Sequence, residues 1–369
     1  MLRKIFKWAL IVVAVLFILS LLGEDNTTNK DVDTSVITYE SPETLDPQPR
    51  GKRTLGIGIS DGSIGFNAAF MIAKEAGAEV VEIPTFWDEI ETSPGAFSGG
   101  WLPVADAFYP QSNTKISISL NAVDTNKLRL PDDLKDRPFN DPEVIKRYKE
   151  FVSFAATQVP NSEVYFVSVG NEVDIYLGNS NKKWQEYSEF FSAVAPHVRK
   201  EFGGAAVGVK MSYHTLIDLP ENGKSIIEVS DVILANYYPF QPESYLMHQP
   251  ATVYADFKKI TEMYPAKKVY FSEIGYPSSK INGSSELQQA LFIKHTFAAW
   301  DMYSDQIPFL NFIWLHDISD KDSAGYQEYY GSKNKGFTSY LETLGLRTFD
   351  GSDKEAFIEL KRAVRERGW

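Results

Sequence analysis

Cysteine is absent from this 369-residue sequence, and its absence excludes several kinds of chemistry at once. Without a thiol the chain has no disulfide, no thiolate metal ligand, no cysteine nucleophile and no lipid-modified cysteine. The five histidines are scattered and show no metal-ligand spacing such as His-Glu-x-x-His. The sequence also lacks a Gly-x-Ser-x-Gly motif and a phosphate-binding loop. We therefore expect a protein that holds no metal and uses no cofactor.

Positive charge is in deficit, because 37 basic residues face 49 acidic ones and the formal net charge is −12. Nucleic acid and anionic membrane surfaces would repel such a chain, so we expect neither as a partner. The charge suits a secreted enzyme that acts on a neutral polymer. Aromatic residues, by contrast, make up 14% of the chain. They either fill a bulky core or offer flat faces on which sugar rings stack, and composition does not separate these two interpretations.

The first 23 residues differ from the rest in composition, with a basic head and a long apolar run. Arg3, Lys4 and Lys7 precede an apolar run from Trp8 to Leu19. A basic head followed by such a run is typical of an export signal. No pair of small residues marks a cleavage site before residue 23, so we predict a retained signal-anchor, with a cleaved signal peptide as the alternative. The rest of the chain is then expected outside the cytoplasmic membrane, either anchored to it or secreted.

Residues 24–52 are polar and interrupted by proline, as in SPETLDPQPRGK. They carry no amphipathic period, so we expect a flexible linker that lets an anchored domain reach its substrate. No second linker or internal repeat follows. We therefore predict one catalytic domain over residues 53–369.

Eight apolar, β-branched segments alternate with helix-like segments throughout this domain. Near-continuous apolar strands separated by helices indicate a parallel sheet covered on both faces. Eight such units favour a closed α/β fold, the (β/α)₈ or TIM barrel, over an open doubly wound sheet. The predicted strands are Thr54–Ser60, Ala78–Trp87, Thr114–Ala122, Glu163–Val173, Ala205–Tyr213, Asp231–Phe240, Lys267–Pro277 and Ile307–Asp317.

Two glutamates end strands on opposite sides of this predicted barrel. Strand four ends in Asn171-Glu172 and strand seven in Ser272-Glu273, and catalytic groups of such barrels lie at the C-terminal ends of the strands. Hydrolysis of a glycosidic bond needs one carboxylic acid to protonate the leaving oxygen and a second carboxylate at the anomeric carbon. We therefore predict Glu172 and Glu273 as the catalytic pair. The alternative is that such carboxylates cap helices or form salt bridges.

The segments VSVGNEVD and VYFSEIGYPSS resemble the two active-site signatures of the clan A retaining glycoside hydrolases, a large clan of (β/α)₈ enzymes. SEIGYPSS looks closest to the endo-β-galactanase and endo-β-1,3-glucanase groups of that clan. The resemblance implies that Glu172 is the acid/base, Glu273 the nucleophile and Asn171 a hydrogen-bond partner of the sugar 2-hydroxyl. One departure is the lack of an arginine at the end of strand two, where many members hold one near the nucleophile; Trp87 and Asp88 stand there instead.

The resemblance also implies substrate-binding aromatic residues. IWLHD resembles the strand-eight platform of the clan, which makes Trp314 the stacking floor, and NYYPF implies that Tyr237 or Tyr238 orients Glu273. Further candidates for substrate contact, each with a structural role as the alternative, are Trp87, Asn121 and His316. Lys210 lies inside strand five without a partner that the sequence indicates.

The function we expect is a retaining glycoside hydrolase that cleaves β-linked poly- or oligosaccharide by a two-glutamate double displacement. The alternatives are a transglycosidase that uses the same site and a catalytically silent, surface carbohydrate-binding barrel. A lyase or aldolase would need a strand-end lysine or a metal cluster, and neither is evident. The sugar, the linkage, endo or exo action and the oligomeric state stay open at this point.

Overall fold

A parallel sheet of eight strands forms the centre of the structure. The computed structural model describes residues 46–369, so the predicted signal-anchor and most of the predicted linker lie outside the described residues. No helix among residues 46–369 is both long enough and apolar enough to cross a bilayer. The barrel strands are β1 Thr54–Ile57, β2 Val80–Phe86, β3 Lys115–Asp124, β4 Val164–Asn171, β5 in two segments, Ala206–Gly208 and Lys210–Ser212, β6 Val232–Tyr237, β7 Lys268–Ile274 and β8 Phe309–Phe312.

Neighbouring strands follow the chain order, and the last strand pairs again with the first. Thr54–Ile57 of β1 lie opposite Phe309–Phe312 of β8 in parallel register. The two segments of β5 pair with different neighbours, the first with β4 and the second with β6, so the sheet continues through Val209. This arrangement confirms the predicted (β/α)₈ barrel.

Thirteen helices accompany the strands among the described residues, and eight of them (α1, α3, α4, α6, α8, α9, α10 and α13) follow the eight strands as an outer layer. The helices are α1 Phe66–Glu75, α2 Trp87–Ile90, α3 Leu102–Phe108, α4 Pro142–Thr157, α5 Val173–Leu177, α6 Asn181–Glu201, α7 Tyr213–Asp218, α8 Pro220–Val229, α9 Thr252–Met263, α10 Glu286–Met302, α11 Asp320–Tyr330, α12 Lys335–Glu342 and α13 Glu355–Glu366. Single 3₁₀ turns cover Tyr109–Ser112, Asp132–Leu134 and Lys280–Asn282, and short strands outside the barrel cover Glu91–Ser93, Ala96–Phe97 and Lys127–Leu128.

The interior of the barrel is closed at its N-terminal end by side chains from the first halves of the strands. Val80, Phe166, Val232, Leu234 and Phe309 form a buried cluster that is separate from the layer between barrel and helices. Aromatic and branched side chains fill this end, so no channel passes through the barrel. Catalytic groups are therefore expected at the C-terminal end, as in other barrels of this kind.

Helices α11 and α12, which lie between β8 and α13, cover the C-terminal end. We call the side chains that they bury there, together with two from the segment after β6, the aromatic roof. Its members are Phe240, Tyr245, Tyr326, Tyr330, Phe337 and Tyr340. The Tyr329 hydroxyl of α11 donates to Asp124 Oδ2 at the end of β3, at 2.7 Å. The Ser339 hydroxyl of α12 donates to the Ser279 Oγ beyond β7, at 2.5 Å. The roof therefore spans the mouth of the barrel.

Candidate active site

Strand β4 ends in two unusual backbone conformations that bring Glu172 into the barrel mouth. Gly170 has φ +86°, and a Cβ there would lie 2.6 Å from the Tyr187 hydroxyl, so only glycine fits. Glu172 has φ 44° and ψ 45°, in the left-handed region, immediately before α5. Such a conformation costs a non-glycine residue about 1–3 kcal/mol and is typical of functional sites. The Glu172 side chain is 0% exposed, and its Oε2 accepts a hydrogen bond from Thr125 Oγ1 at 3.0 Å.

A β-bulge in β7 directs Glu273 toward the same space. Ala235 of β6 pairs with Phe271, but the next residue, Asn236, pairs with Glu273, so Ser272 is the extra residue. Bulges re-aim side chains in this way and occur next to active sites. Glu273 is also 0% exposed. Its Oε2 accepts a hydrogen bond from the Tyr238 hydroxyl at 2.8 Å.

Amide side chains connect the strands that carry the two glutamates. Asn171 Nδ2 donates to Asp124 Oδ1 at 3.0 Å, and Asn171 Oδ1 accepts from Asn236 Nδ2 at 3.4 Å. Asn236 Oδ1 in turn accepts from the Ser272 hydroxyl at 2.9 Å. These bonds fix which way each amide faces, because a flipped amide would set donor against donor. Asn171, beside Glu172, therefore sits in one defined orientation.

Lys210, for which the sequence indicated no partner, is the cation at this site. Its side chain, on the second segment of β5, is 0% exposed and forms ion pairs with Glu82 of β2 and Glu273 of β7. Burial lowers the pKa of Lys210, but the charges of Glu82 and Glu273 outweigh burial and the pKa is raised overall. The lysine is therefore held in its charged form.

A signal for this contact was present in the sequence. Lys210 and Glu82 each lie within an apolar barrel strand, and a charged group in such a position is buried only with a partner. The position of each charge inside an apolar barrel strand therefore indicates a buried partner, but it does not say which residue that partner is. The lysine from strand five supplies a cation to the nucleophile candidate, where the sequence has no arginine after strand two.

Burial raises the pKa of Glu273, and the positive charge of Lys210 opposes this rise most strongly. Burial raises the pKa of Asp124 as well, against the hydrogen bonds from Tyr329 and Asn171. Both carboxyl groups thus lie in a low-dielectric pocket where the charged form needs specific support. For Glu273 that support comes from Lys210 and the Tyr238 hydroxyl.

Tyr237 and Tyr238, offered by the sequence as alternatives, point in opposite directions. Tyr238 contacts Glu273, as described above. The Tyr237 hydroxyl donates instead to Asp256 Oδ2 at 2.6 Å, and its ring packs against Phe257 in the layer between barrel and helices. Of the two tyrosines, Tyr238 is therefore the one whose hydroxyl contacts Glu273, and substrate contact by Tyr237 stays a prediction.

Trp314 lies beneath the aromatic roof, next to the mouth of the barrel. Its ring stacks on Tyr326 of α11 with centroids 5.9 Å apart and planes 18° from parallel. Tyr238, which contacts Glu273, packs edge-on against Tyr340 of α12 at 5.5 Å. Trp314 and Tyr238 belong to the same buried cluster, so the predicted stacking platform packs in the cluster that holds the tyrosine beside Glu273.

The structure does not bring Trp87 to the site. Its indole is fully buried outside the barrel, stacks on Phe151 of α4 and donates to Glu91 Oε2 at 2.8 Å. Asn121 faces the barrel interior, where its Oδ1 accepts from the Ser119 hydroxyl of the same strand at 2.9 Å. Both side chains make scaffold contacts in this structure, and their contact with substrate stays a prediction. Asp124, three residues after Asn121, makes the contact with Asn171 from the end of β3.

His316 is likewise a structural residue. Its Nδ1 lies 2.7 Å from the Ser60 carbonyl oxygen, and its Nε2 lies 3.1 Å from Arg347 Nη1. Burial, together with the nearby Arg347 charge, lowers the pKa of this imidazole against the hydrogen bond to Ser60. The ring is fully enclosed between β1 and the segment before α13, and substrate contact by His316 stays a prediction.

Among residues 46–369, no group of three or more acidic or histidine side chains is arranged to hold a metal ion. The acidic residues at the barrel mouth are instead satisfied by hydroxyl, amide and ammonium groups. The chemistry that these described residues offer is proton transfer and nucleophilic attack by carboxylates.

No protein-family model matches the sequence, and no curated protein matches it. Solved structures share its fold at low sequence identity. GH5_18 from Streptomyces cattleya in complex with GlcNAc matches with a TM-score of 0.66 and 15% identity, over 87% of this chain and 80% of that one. An exo-β-1,4-mannosidase from Opitutaceae bacterium strain TAV5 matches with a TM-score of 0.65 and 15% identity, over 85% of this chain and 60% of that one.

The GH53 catalytic domain of Ignisphaera aggregans matches with a TM-score of 0.61 and 15% identity, over 87% of this chain and 99% of that one. At such identities the likeness establishes a shared (β/α)₈ fold. These neighbours do not single out the endo-β-galactanase or endo-β-1,3-glucanase groups.

Proposed function

We propose that this protein is a retaining glycoside hydrolase that cleaves β-linked oligo- or polysaccharide. The observation that carries the proposal is the convergence of two buried glutamates with different partners at the barrel mouth. Burial, then the charges of Glu172 and Glu273, raise the pKa of Tyr340, so both carboxylates lie within electrostatic reach of this one hydroxyl. Glu273 has a cation and a hydroxyl beside it, whereas Glu172 accepts a hydroxyl hydrogen bond from Thr125. Such a difference in surroundings suits one nucleophile and one acid.

In the first step Glu273 attacks the anomeric carbon while the bond to the leaving oxygen breaks. Glu172 gives its proton to that oxygen, so the leaving group departs as an alcohol. In the second step Glu172, now ionised, takes a proton from water, and the resulting hydroxide displaces Glu273 from the sugar. Two inversions at one carbon give net retention. The site needs no further reactant than water.

The residues around the glutamates suit a sugar ligand. Asn171, held in one orientation by Asp124 and Asn236, is proposed to hydrogen bond the 2-hydroxyl. Trp314 is proposed as the platform on which the sugar ring stacks. Two structural neighbours are in complex with GlcNAc and with Manβ1-4GlcNAc. Those ligands support a carbohydrate as the substrate class of this chain.

The proposal is tested with aryl β-glucosides, β-galactosides and β-mannosides and with β-glucans, galactans and mannans, at matched protein concentration. The control is the double variant Glu172→Ala/Glu273→Ala, which removes both carboxylates and whose folding is checked by circular dichroism. We expect release of aglycone or short saccharides by the wild type alone. Tight binding of a sugar by both proteins, with release by neither, would favour the silent carbohydrate-binding barrel.

We also propose that the barrel lies outside the cytoplasmic membrane. The basic head and apolar run of residues 1–23, which lie outside the described residues, support this location. Protease added to intact spheroplasts should then digest the barrel. A full-length protein found soluble in the cytoplasm would contradict it.

Access to the site is proposed to require movement of the aromatic roof. Both glutamates are 0% exposed beneath it, so a sugar cannot reach them in this conformation. Lids that open for substrate and close over the reaction are common in enzymes and often limit the rate. The segment from α11 to α12 packs on the barrel mouth through its buried aromatic side chains and hydrogen bonds such as Ser339 to Ser279.

A disulfide between positions 279 and 339 should trap the roof in place. The two hydroxyl oxygens are 2.5 Å apart, near the bonding distance of two sulfurs of about 2.05 Å. The chain has no other cysteine, so Ser279→Cys/Ser339→Cys can form only this bond. We expect oxidation to lower the turnover rate by roughly tenfold or more, and reduction to restore it.

The two single cysteine variants are the matched controls, because neither forms the bond and both should ignore the redox state. Mass spectrometry confirms the bond before rates are compared. Equal rates for the oxidised and reduced double variant would contradict opening at α12.

A further inference from the structure

Lys210 lies between two carboxylates that come from different strands. Its Nζ contacts Glu82 Oε1 and lies 3.5 Å from Glu273 Oε1. The side chains of Lys210 and Glu273 are 0% exposed, and that of Glu82 is 7% exposed. The three charges therefore interact with little screening by solvent.

One ammonium serves two carboxylates at this position, so they compete for it. Glu82 Oε2 is buried and has no hydrogen-bond partner among residues 46–369, which leaves Lys210 as the group that balances the Glu82 charge. Glu273 has the Tyr238 hydroxyl in addition. Any change in the charge of Glu82 must therefore change how strongly Lys210 stabilises ionised Glu273.

We propose that Lys210 is a positioning residue that keeps the nucleophile Glu273 ionised, and that Glu82 sets the strength of this effect by sharing the ammonium. The inference rests on the proposed function, because it assigns a role to a neighbour of the proposed nucleophile. Neither Lys210 nor Glu82 needs to touch substrate for this role.

Several other groups lie near Glu273 and affect its pKa. The Tyr238 hydroxyl, which follows β6, supports the ionised form through its hydrogen bond. Asp124 at the end of β3 carries a negative charge that opposes ionisation. Glu172 from β4 lies near Lys210, and Tyr340 from α12 lies near both glutamates. Among these groups Lys210 is the one cation, so its removal should raise the pKa of Glu273.

The experiment measures kcat/KM against pH for the full chain and for two variants whose acid limbs should move in opposite directions. The acid limb of this profile reports the pKa of the essential ionised group in the free enzyme. Lys210→Met removes a positive charge, so the Glu273 pKa rises and the limb moves to higher pH, by about one to three pH units. Glu82→Gln removes a negative charge and frees the ammonium, so the limb moves to lower pH. At a pH below both limbs, a limb displaced by about one pH unit changes kcat/KM about tenfold.

Two further variants keep the test decisive. Lys210→Arg retains the charge, so its limb should stay near that of the wild type even if kcat falls. If Lys210→Met does not fold, Glu82→Gln/Lys210→Met also removes the Glu82 charge that the single variant leaves without its ammonium partner. Its limb should lie above that of Glu82→Gln alone. Folded variants whose limbs do not move, or both move upward, would overturn the inference, because a structural ion pair predicts no opposite movements of the limb.

Infrared titration of the buried carboxyl groups, with Glu273→Gln used to assign the Glu273 band, reports the same pKa without turnover. Opposite changes in the titration midpoint of that band support the inference. If the midpoint moves but the wild type hydrolyses no glycoside, the proposed function fails while the charge relation between the three residues stands. If the wild type is active and the midpoint does not move, the inference alone fails.

Discussion

Replacement of Glu273 by alanine should abolish turnover of β-glycosides, with a fall in kcat of about 10⁴-fold or more. Glu273 is proposed to form the covalent bond to the anomeric carbon, and no neighbouring group replaces it, because Lys210 is a protonated ammonium and Tyr238 a neutral phenol. No glycosyl-enzyme should then accumulate with any substrate, however good its leaving group. Stopped-flow release of the aglycone and mass spectrometry of the trapped protein measure this.

Azide should rescue Glu273→Ala and give the inverted glycosyl azide. The small anion enters the space left by the carboxylate and attacks from that face, while Glu172 still protonates the leaving oxygen. Glu262→Ala is the matched control, because Glu262 is an exposed glutamate of α9, 67% exposed at its side chain. That variant should behave as the wild type. Formation of a covalent intermediate by Glu273→Ala would show that another residue is the nucleophile.

Replacement of Glu172 by alanine should act differently on different substrates. Natural glycosides with poor leaving groups need the proton of Glu172, so we expect their kcat/KM to fall about 10²–10⁴-fold. Aryl glycosides whose leaving groups depart without protonation should still form the glycosyl-enzyme. Its hydrolysis is then slow, because no base activates the water. A burst of aglycone followed by a slow steady rate is the expected kinetic pattern.

Azide should restore steady turnover in Glu172→Ala and give a product of retained configuration, since it attacks the glycosyl-enzyme from the face that Glu172 occupied. Thr125→Val serves as a control that removes only the hydroxyl that donates to Glu172. In this variant the rate should depend on the leaving group as it does in the wild type, and the loss of rate should be smaller than in Glu172→Ala. An equal loss for all leaving groups in Glu172→Ala would contradict the acid/base assignment.

The eight strands and the two glutamates could be predicted because both follow from local pattern. Apolar β-branched runs define the strands, and catalytic groups of a closed barrel stand where those runs end. The exact direction of side chains beyond a strand end could not be predicted. Tyr237 and Tyr238 are consecutive, and only the contacts with Asp256 and Glu273 distinguish them. Trp87 begins helix α2 directly after β2 and turns outward with it.

Contacts between distant parts of the chain account for what the sequence left open. The pair of Lys210 and Glu82 joins β5 and β2 across the barrel interior, at a distance in sequence over which no periodicity extends. The position of the aromatic roof depends on tertiary contacts such as Tyr329 to Asp124 and Ser339 to Ser279. Where helices α11 and α12 pack cannot be predicted from their own sequence, because it depends on the folded barrel mouth beneath them.

The stereochemistry of the first product formed by the wild type tests the proposed mechanism most directly. Proton NMR recorded early in hydrolysis of an aryl β-glycoside observes the anomeric signal before mutarotation mixes the two forms. We predict that the β-anomer appears first and the α-anomer later, because Glu273 and water displace in turn at the same carbon. Initial appearance of the α-anomer would mean inversion, and Glu172 and Glu273 would then not be a nucleophile and acid pair.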